Sequence, residues 1–150
     1  MLPALSIAPD DGVIRIQGLD QVIRPGLAKA VAMAAFAALY RSHIDHRNGY
    51  EWLSFHRVAF GGCPCGFSLC FHLGLLEQLH FGVSILGAKS LQGWPDRDAS
   101  EREIVLVRGE LKRQLQRDFR SGHEQFSWGA VWSVFDEKGY QASSGVHYAI

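Results

Sequence analysis

The clearest pattern along the chain is a strict alternation in its middle. Phe67, Leu69, Phe71 and Leu73 alternate with Ser68, Cys70 and His72, and Leu79, Phe81, Val83 and Ile85 alternate with Gln78, His80, Gly82 and Ser84. A period of two places each set on one side of a pleated sheet, so both segments are predicted strands with one packed and one wet face. Gly74 marks the tight turn between them. Residues 50–60, rich in aromatic and β-branched side chains, predict a preceding strand, and the Gly/Pro/Cys-rich residues 61–66 predict the connecting turn. Val13, Ile14 and Ile16, bounded by Gly12 and Gly18, predict a short strand near the start.

Two segments carry helical periodicity instead. Over residues 27–44, Leu27, Val31, Ala35 and Leu39 fall on one stripe and seven alanines favour helix, which predicts a helix apolar nearly all round and well buried. Further on, Ile104, Val107, Leu111, Leu115 and Phe119 form an amphipathic stripe. Asp98 or Ser100 is placed to cap that helix, and Gly122 to end it. Residues 87–97 between the strands and this helix read as a loop. At the end of the chain, Phe126, Trp128, Ala130, Trp132 and Val134 predict the heavier face of one strand. Tyr140, Ala142, Val146, Tyr148 and Ile150 predict one face of the last, with a hairpin turn over 136–139. The predicted order is β-α-β-β-β-α-β-β. It implies a single α+β domain over residues 1–150, a twisted, mainly antiparallel sheet with both helices on one face. Ser68, Cys70, His72, Gln78, His80 and Ser84 would then line the opposite face.

Composition narrows the function classes. The chain has 150 residues, 47% of them hydrophobic, and 15 basic against 15 acidic side chains. High apolar content with zero net charge excludes a disordered chain. It also leaves no cationic excess with which to hold nucleic-acid phosphates. The most apolar stretch, residues 30–40, is too short for a membrane span of roughly 20 residues. No basic, apolar leader is recognisable at the start, and three cysteines are an odd count, so a reduced cytoplasm is expected. The glycines form neither GxGxxG nor a P-loop, and no cofactor is expected.

Candidate chemistry is sparse. Cys63-x-Cys65-x4-Cys70-x-His72 offers thiolate and imidazole ligands, but the pairs are poorly spaced for a four-ligand zinc site, and no metal is expected. Cys70 or His72 should face His80 across the hairpin, the beginnings of a thiol nucleophile site, yet on an open face without an oxyanion hole. His43 and His46 are expected at the C-terminus of the first helix as dipole partners. Mixed charges on the second helix predict a solvated face. Trp52, Trp128 and Trp132 are expected in the core. Trp94, flanked by Asp96 and Asp98 in the 87–97 loop, is the candidate aromatic anchor for a partner, together with His72 and His80 on the open sheet face.

One resemblance bears on function. Phe126-Ser127-Trp128-Gly129, Asp136-Glu137-Lys138-Gly139 and the Ser-rich end Ala142-Ser143-Ser144-Gly145-Val146-His147-Tyr148 resemble the ending of small bacterial immunity-type proteins. These are encoded beside polymorphic secreted toxins of type VI secretion or Rhs systems. The beginning, Gly12-Val13-Ile14-Arg15-Ile16 followed by Arg24-Pro25-Gly26, is similar in kind. The resemblance implies tight, non-catalytic binding and neutralisation of one cognate protein toxin in the cytoplasm. The alternatives are a small enzyme or metal-binding protein using Cys70, His72 and His80, or an adaptor domain in a secretion or phage-like assembly. A homodimer through a sheet-edge strand ending at Ile150 is also open.

Overall fold

The computed structural model describes residues 1–85, 90, 91 and 94–149, and of residues 90, 91, 94 and 95 the backbone alone. The elements begin with a hairpin of β1 (Leu5–Ile7) and β2 (Ile14–Ile16), then α1 (Lys29–Ala35), β3 (Tyr40–Asp45), β4 (Tyr50–Phe60), β5 (Cys63–His72) and β6 (Leu75–Val83). A two-residue ribbon, β7 (Ser90–Leu91) with β8 (Trp94–Pro95), precedes α2 (Arg97–Leu115), and β9 (His123–Phe126), β10 (Gly129–Asp136) and β11 (Gln141–Tyr148) follow. Seven strands form one antiparallel sheet in the order β3-β4-β5-β6-β11-β10-β9. This is the expected α+β architecture, with more strands than the alternation revealed.

One face of the sheet carries the core. Leu53, Leu69, Leu79, Val146 and Val131 lie in one cross-strand row, and all are fully buried. Above them lie Ile104, Val107, Leu111 and Leu115 of α2, the predicted stripe. The β1–β2 hairpin adds Leu5, Ile7, Ile14 and Ile16 to the same cluster. Phe36, just past α1, packs edge-on against Phe55 and Phe67 at 5.8 and 6.4 Å, so α1 leads onto the same side as α2.

The structure departs from the sequence pattern at several places. The first helix is 7 residues long, buries only Ala32 within it, and gives way after a 3-10 turn to β3. Residues 40–45 instead pair as β3 along the 11-residue β4, where ladder hydrogen bonds replace helical ones, and tertiary pairing outweighs the alanine propensity of the preceding residues. His43 therefore lies on an edge strand and His46 in the following turn, not at a helix end. Cys63, Pro64, Cys65 and Gly66 are strand rather than turn, which shrinks to Gly61 and Gly62. Leu73 and Tyr140, expected on packed faces, occupy left-handed turn positions and are exposed. The cap of α2 is Asp96, whose Oδ1 accepts from the Ala99 N–H at 2.7 Å, not Asp98 or Ser100. Phe119 is buried, but beyond the end of α2.

The predicted single strand through Trp128 is a hairpin. Ser127 and Trp128 form the turn between β9 and β10, which resets the alternation, so Val131 and Ser133 face the core and Ala130, Trp132 and Val134 face away. Strand β11 lies between β6 and β10, so the edge-strand argument for a homodimer fails; the sheet edges are β3 and β9, and Ile150 lies outside the described residues.

Trp128 keeps a structural role. Its ring stacks on Phe126 at 4.6 Å, and its indole N–H donates to the Pro9 carbonyl at 2.9 Å. The buried Tyr148 hydroxyl donates to the Gly12 carbonyl at 2.8 Å. The C-terminal residues behind the family resemblance thus clamp the N-terminal hairpin turn against the core.

Candidate functional site

No described helix lies across the sheet face opposite the core, and that face is not the plain polar surface expected. Trp52 of β4 and Trp132 of β10, both expected in the core, stand half-buried on it with His80 between them. The His80 ring is 4.8 Å from Trp52 and 5.3 Å from Trp132, edge to face in both cases. Trp132 reaches His80 across β11 because Gly145 intervenes; a Cβ there would come within 2.6 Å of the Trp132 ring. The Trp132 indole N–H is fixed by donating to the Ser143 hydroxyl at 3.0 Å. Further along the face, Tyr50 and His72 stack with centroids 4.3 Å apart, nearly parallel. A groove of about 400 Å³ lies against this band, lined by Tyr50, Trp52, Cys70, Glu77, Gln78 and His147 among others.

The residues singled out from the sequence divide into groups that do not meet. His72 and His80 share the outer face but are separated by about five residue steps along β6, on the order of 15 Å. His80 lies opposite Ser68, Cys70 opposite Gln78, and His72 opposite Leu75, because β6 bulges between Leu76 and Gln78. The expected pairing of Cys70 or His72 with His80 is therefore not formed. Asp96 is used as the α2 cap, and Asp98 is exposed one turn from Arg102, 3.8 Å from its guanidinium. Both belong to the helix layer on the other side of the sheet from His72 and His80. The Trp94 backbone pairs with Leu91, and its side chain lies outside the described residues, as do residues 87–89, 92 and 93 of the 87–97 loop.

The electrostatics disfavour ionised groups within the sheet. Burial lowers the His80 pKa below the ordinary histidine value, favouring the neutral ring between two indoles. Burial pushes the Cys70 thiol up to about 11, with Glu77 adding to the rise, and pushes Cys65 up to about 12. Such thiols stay protonated at neutral pH and are weak nucleophiles and ligands. Cys65 points into the core while Cys70 lines the outer groove. Among the described residues, no three His, Cys, Asp or Glu side chains gather as metal ligands.

A second depression opens where the sheet parts. Strands β6 and β11 pair only from Phe81–Ser144 to Gln78–His147, so Gly82 and Val83 diverge from the start of β11. Glu103 reaches this gap from α2, and its carboxylate accepts from the Val83 N–H at 3.2 Å, in place of the missing strand partner. Sequence reasoning missed Glu103, Trp52 and Trp132. Glu103 looked like one more charge on a solvated helix, and only the turn at Ser127 and Trp128 could have signalled the change of face at Trp132.

No family model matches the chain, and no curated protein matches it. No described helix is long and apolar enough to cross a membrane. Among solved structures, the chain is similar to a chain of the complex described as Rhs1-CT with its cognate immunity protein RhsI1. The TM-score is 0.53 and the identity 9%, over 96% of this chain and 86% of that one. The likeness is one of fold, and it agrees with the resemblance of the C-terminal motifs to immunity-type proteins of Rhs systems.

Proposed function

We propose that this chain is a non-enzymatic immunity-type protein that binds and neutralises one cognate toxin in the cytoplasm, using the outer face of its sheet. The observation that carries this reading is the likeness, along nearly the whole chain, to the fold found in the complex of Rhs1-CT with its cognate immunity protein RhsI1. The outer face supports it. Half-buried Trp and His side chains, with the exposed Tyr50 stacked on His72, supply large contact area on strands at little cost in side-chain entropy, and binding energy concentrates in such residues. The separation of Cys70, His72 and His80, together with the raised Cys70 pKa, weighs against a thiol-based reaction there. Trp94 is kept as a second candidate anchor.

The test is protection from toxicity. Toxin domains found in the reading frames neighbouring this gene are expressed in a sensitive host, with or without the chain. Growth restored by the wild type against one of these and not against an unrelated toxin supports the reading. Continued killing with the chain present and soluble refutes it.

A further inference from the structure

The gap between β6 and β11 is a cleft of about 510 Å³ that opens where the sheet ladder stops. Its lining includes Gly66 and Gly82, a cross-strand pair on the outer face whose lack of side chains leaves the floor bare. A Cβ at Gly82 would come 3.4 Å from the Glu103 carboxylate, which places that carboxylate at the floor. Glu103 makes no ion pair among the described residues, and its carboxylate accepts from the Val83 N–H. Asp136 also lines the cleft, likewise without a cationic partner among the described residues, and Gln141, Ser143 and Ser68 add neutral oxygen acceptors. His80 borders the same cleft, and burial lowers its pKa and favours the neutral ring, so among the described lining residues no cation opposes a positive guest.

We propose that this cleft is an anchor site for an arginine side chain of the protein partner. A partly desolvated carboxylate without a counter-charge is costly, and a bound cation relieves that cost. Guanidinium is preferred to ammonium, because its planar fork of five donors can engage a carboxylate and several neutral acceptors at once. The cleft adjoins the Trp52–His80–Trp132 band through His80, so an inserted arginine would sit inside the footprint of a partner lying on the outer face. The proposal rests on the immunity reading for the source of the arginine, whereas the chemistry of the cleft can be tested by itself.

The probe is Nα-acetyl-arginine amide, titrated into the tens of millimolar while backbone amide shifts are followed by NMR. Nα-acetyl-citrulline amide, the neutral analogue of the same shape, is the control. The expected result is saturable shifts at Gly82, Val83 and Ser143 with the arginine compound only, and at least tenfold weaker binding in Glu103→Gln and in Gly82→Val, which fills the floor. If Glu103→Gln loses the native spectrum, Gly82→Val decides, since it leaves the carboxylate in place. Equal shifts from citrulline, no saturable shift, or undiminished binding in the variants would overturn the proposal. Toxin protection without arginine binding would remove the cleft and leave the function standing. Arginine binding without protection would leave a cation site and remove the immunity partner.

Discussion

Gly12→Ala tests whether the C-terminal tryptophan motif is a structural clamp. Gly12 has φ +71, and an added Cβ would fall 2.6 Å from Cζ3 of the Trp128 ring. Three costs follow. The left-handed backbone costs an L-residue roughly 1–2 kcal/mol. Forcing a methyl group against a packed ring costs about 1–3 kcal/mol. Displacing Trp128 weakens its hydrogen bond to the Pro9 carbonyl, worth about 1 kcal/mol. Gly18 is the internal control, with φ +85 and nothing within 4 Å of an added Cβ, so Gly18→Ala carries the backbone cost alone. In urea unfolding followed by tryptophan fluorescence, Gly12→Ala should be less stable than Gly18→Ala by about 2 kcal/mol or more. At roughly 2–4 °C per kcal/mol for a chain of this size, the two melting points should differ by at least ~4 °C. Equal destabilisation by the two substitutions would mean that Trp128 does not lie against residue 12, and the clamp would be refuted.

Three further outcomes are expected. Leu111→Ala, at a fully buried position of α2, should cost about 2–5 kcal/mol in urea unfolding, and a loss under about half a kcal/mol would mean that the stripe is not packed on the sheet. Asp96→Ala should cost about 1 kcal/mol through the lost cap on the Ala99 N–H, whereas Asp98→Ala should leave stability nearly unchanged; the reverse order would place the cap elsewhere. The lowered His80 pKa means the folded state resists protonation, so the stability His80 allows above the ordinary histidine pKa is lost as pH falls through its folded value. Melting curves of the wild type should therefore fall more steeply with acidification than those of His80→Phe, and parallel curves would show that His80 is not desolvated between Trp52 and Trp132.

What could be read from the sequence was what depends on local period. Alternation in Phe67–Phe71 and Leu79–Val83 gave the two central strands and their inward faces, and the spacing of Ile104, Val107, Leu111 and Leu115 gave α2. What could not be read depends on partners distant in the chain. Strand β3 forms by pairing along the edge of β4, and nothing within residues 40–45 announces that pairing. Trp132 faces outward because the turn at Ser127 and Trp128 shifts the alternation by a residue, and a one-residue shift exchanges every face beyond it. At the site, His72 and His80 were assigned correctly to the outer face, but not their aromatic neighbours. Those neighbours come from β4 and β10, whose register against β5, β6 and β11 no local pattern encodes.

The central claim, that a toxin is held by the outer face of the sheet, is tested most directly by titration calorimetry of the purified chain with a toxin domain against which it protects. The wild type should form a one-to-one complex. Trp52→Ala should raise Kd by ~30-fold or more, equivalent to about 2 kcal/mol, while Arg102→Ala on the helix layer leaves Kd within about twofold. An unchanged Kd in Trp52→Ala, with the loss appearing in Arg102→Ala instead, would place the partner on the helices and contradict the account.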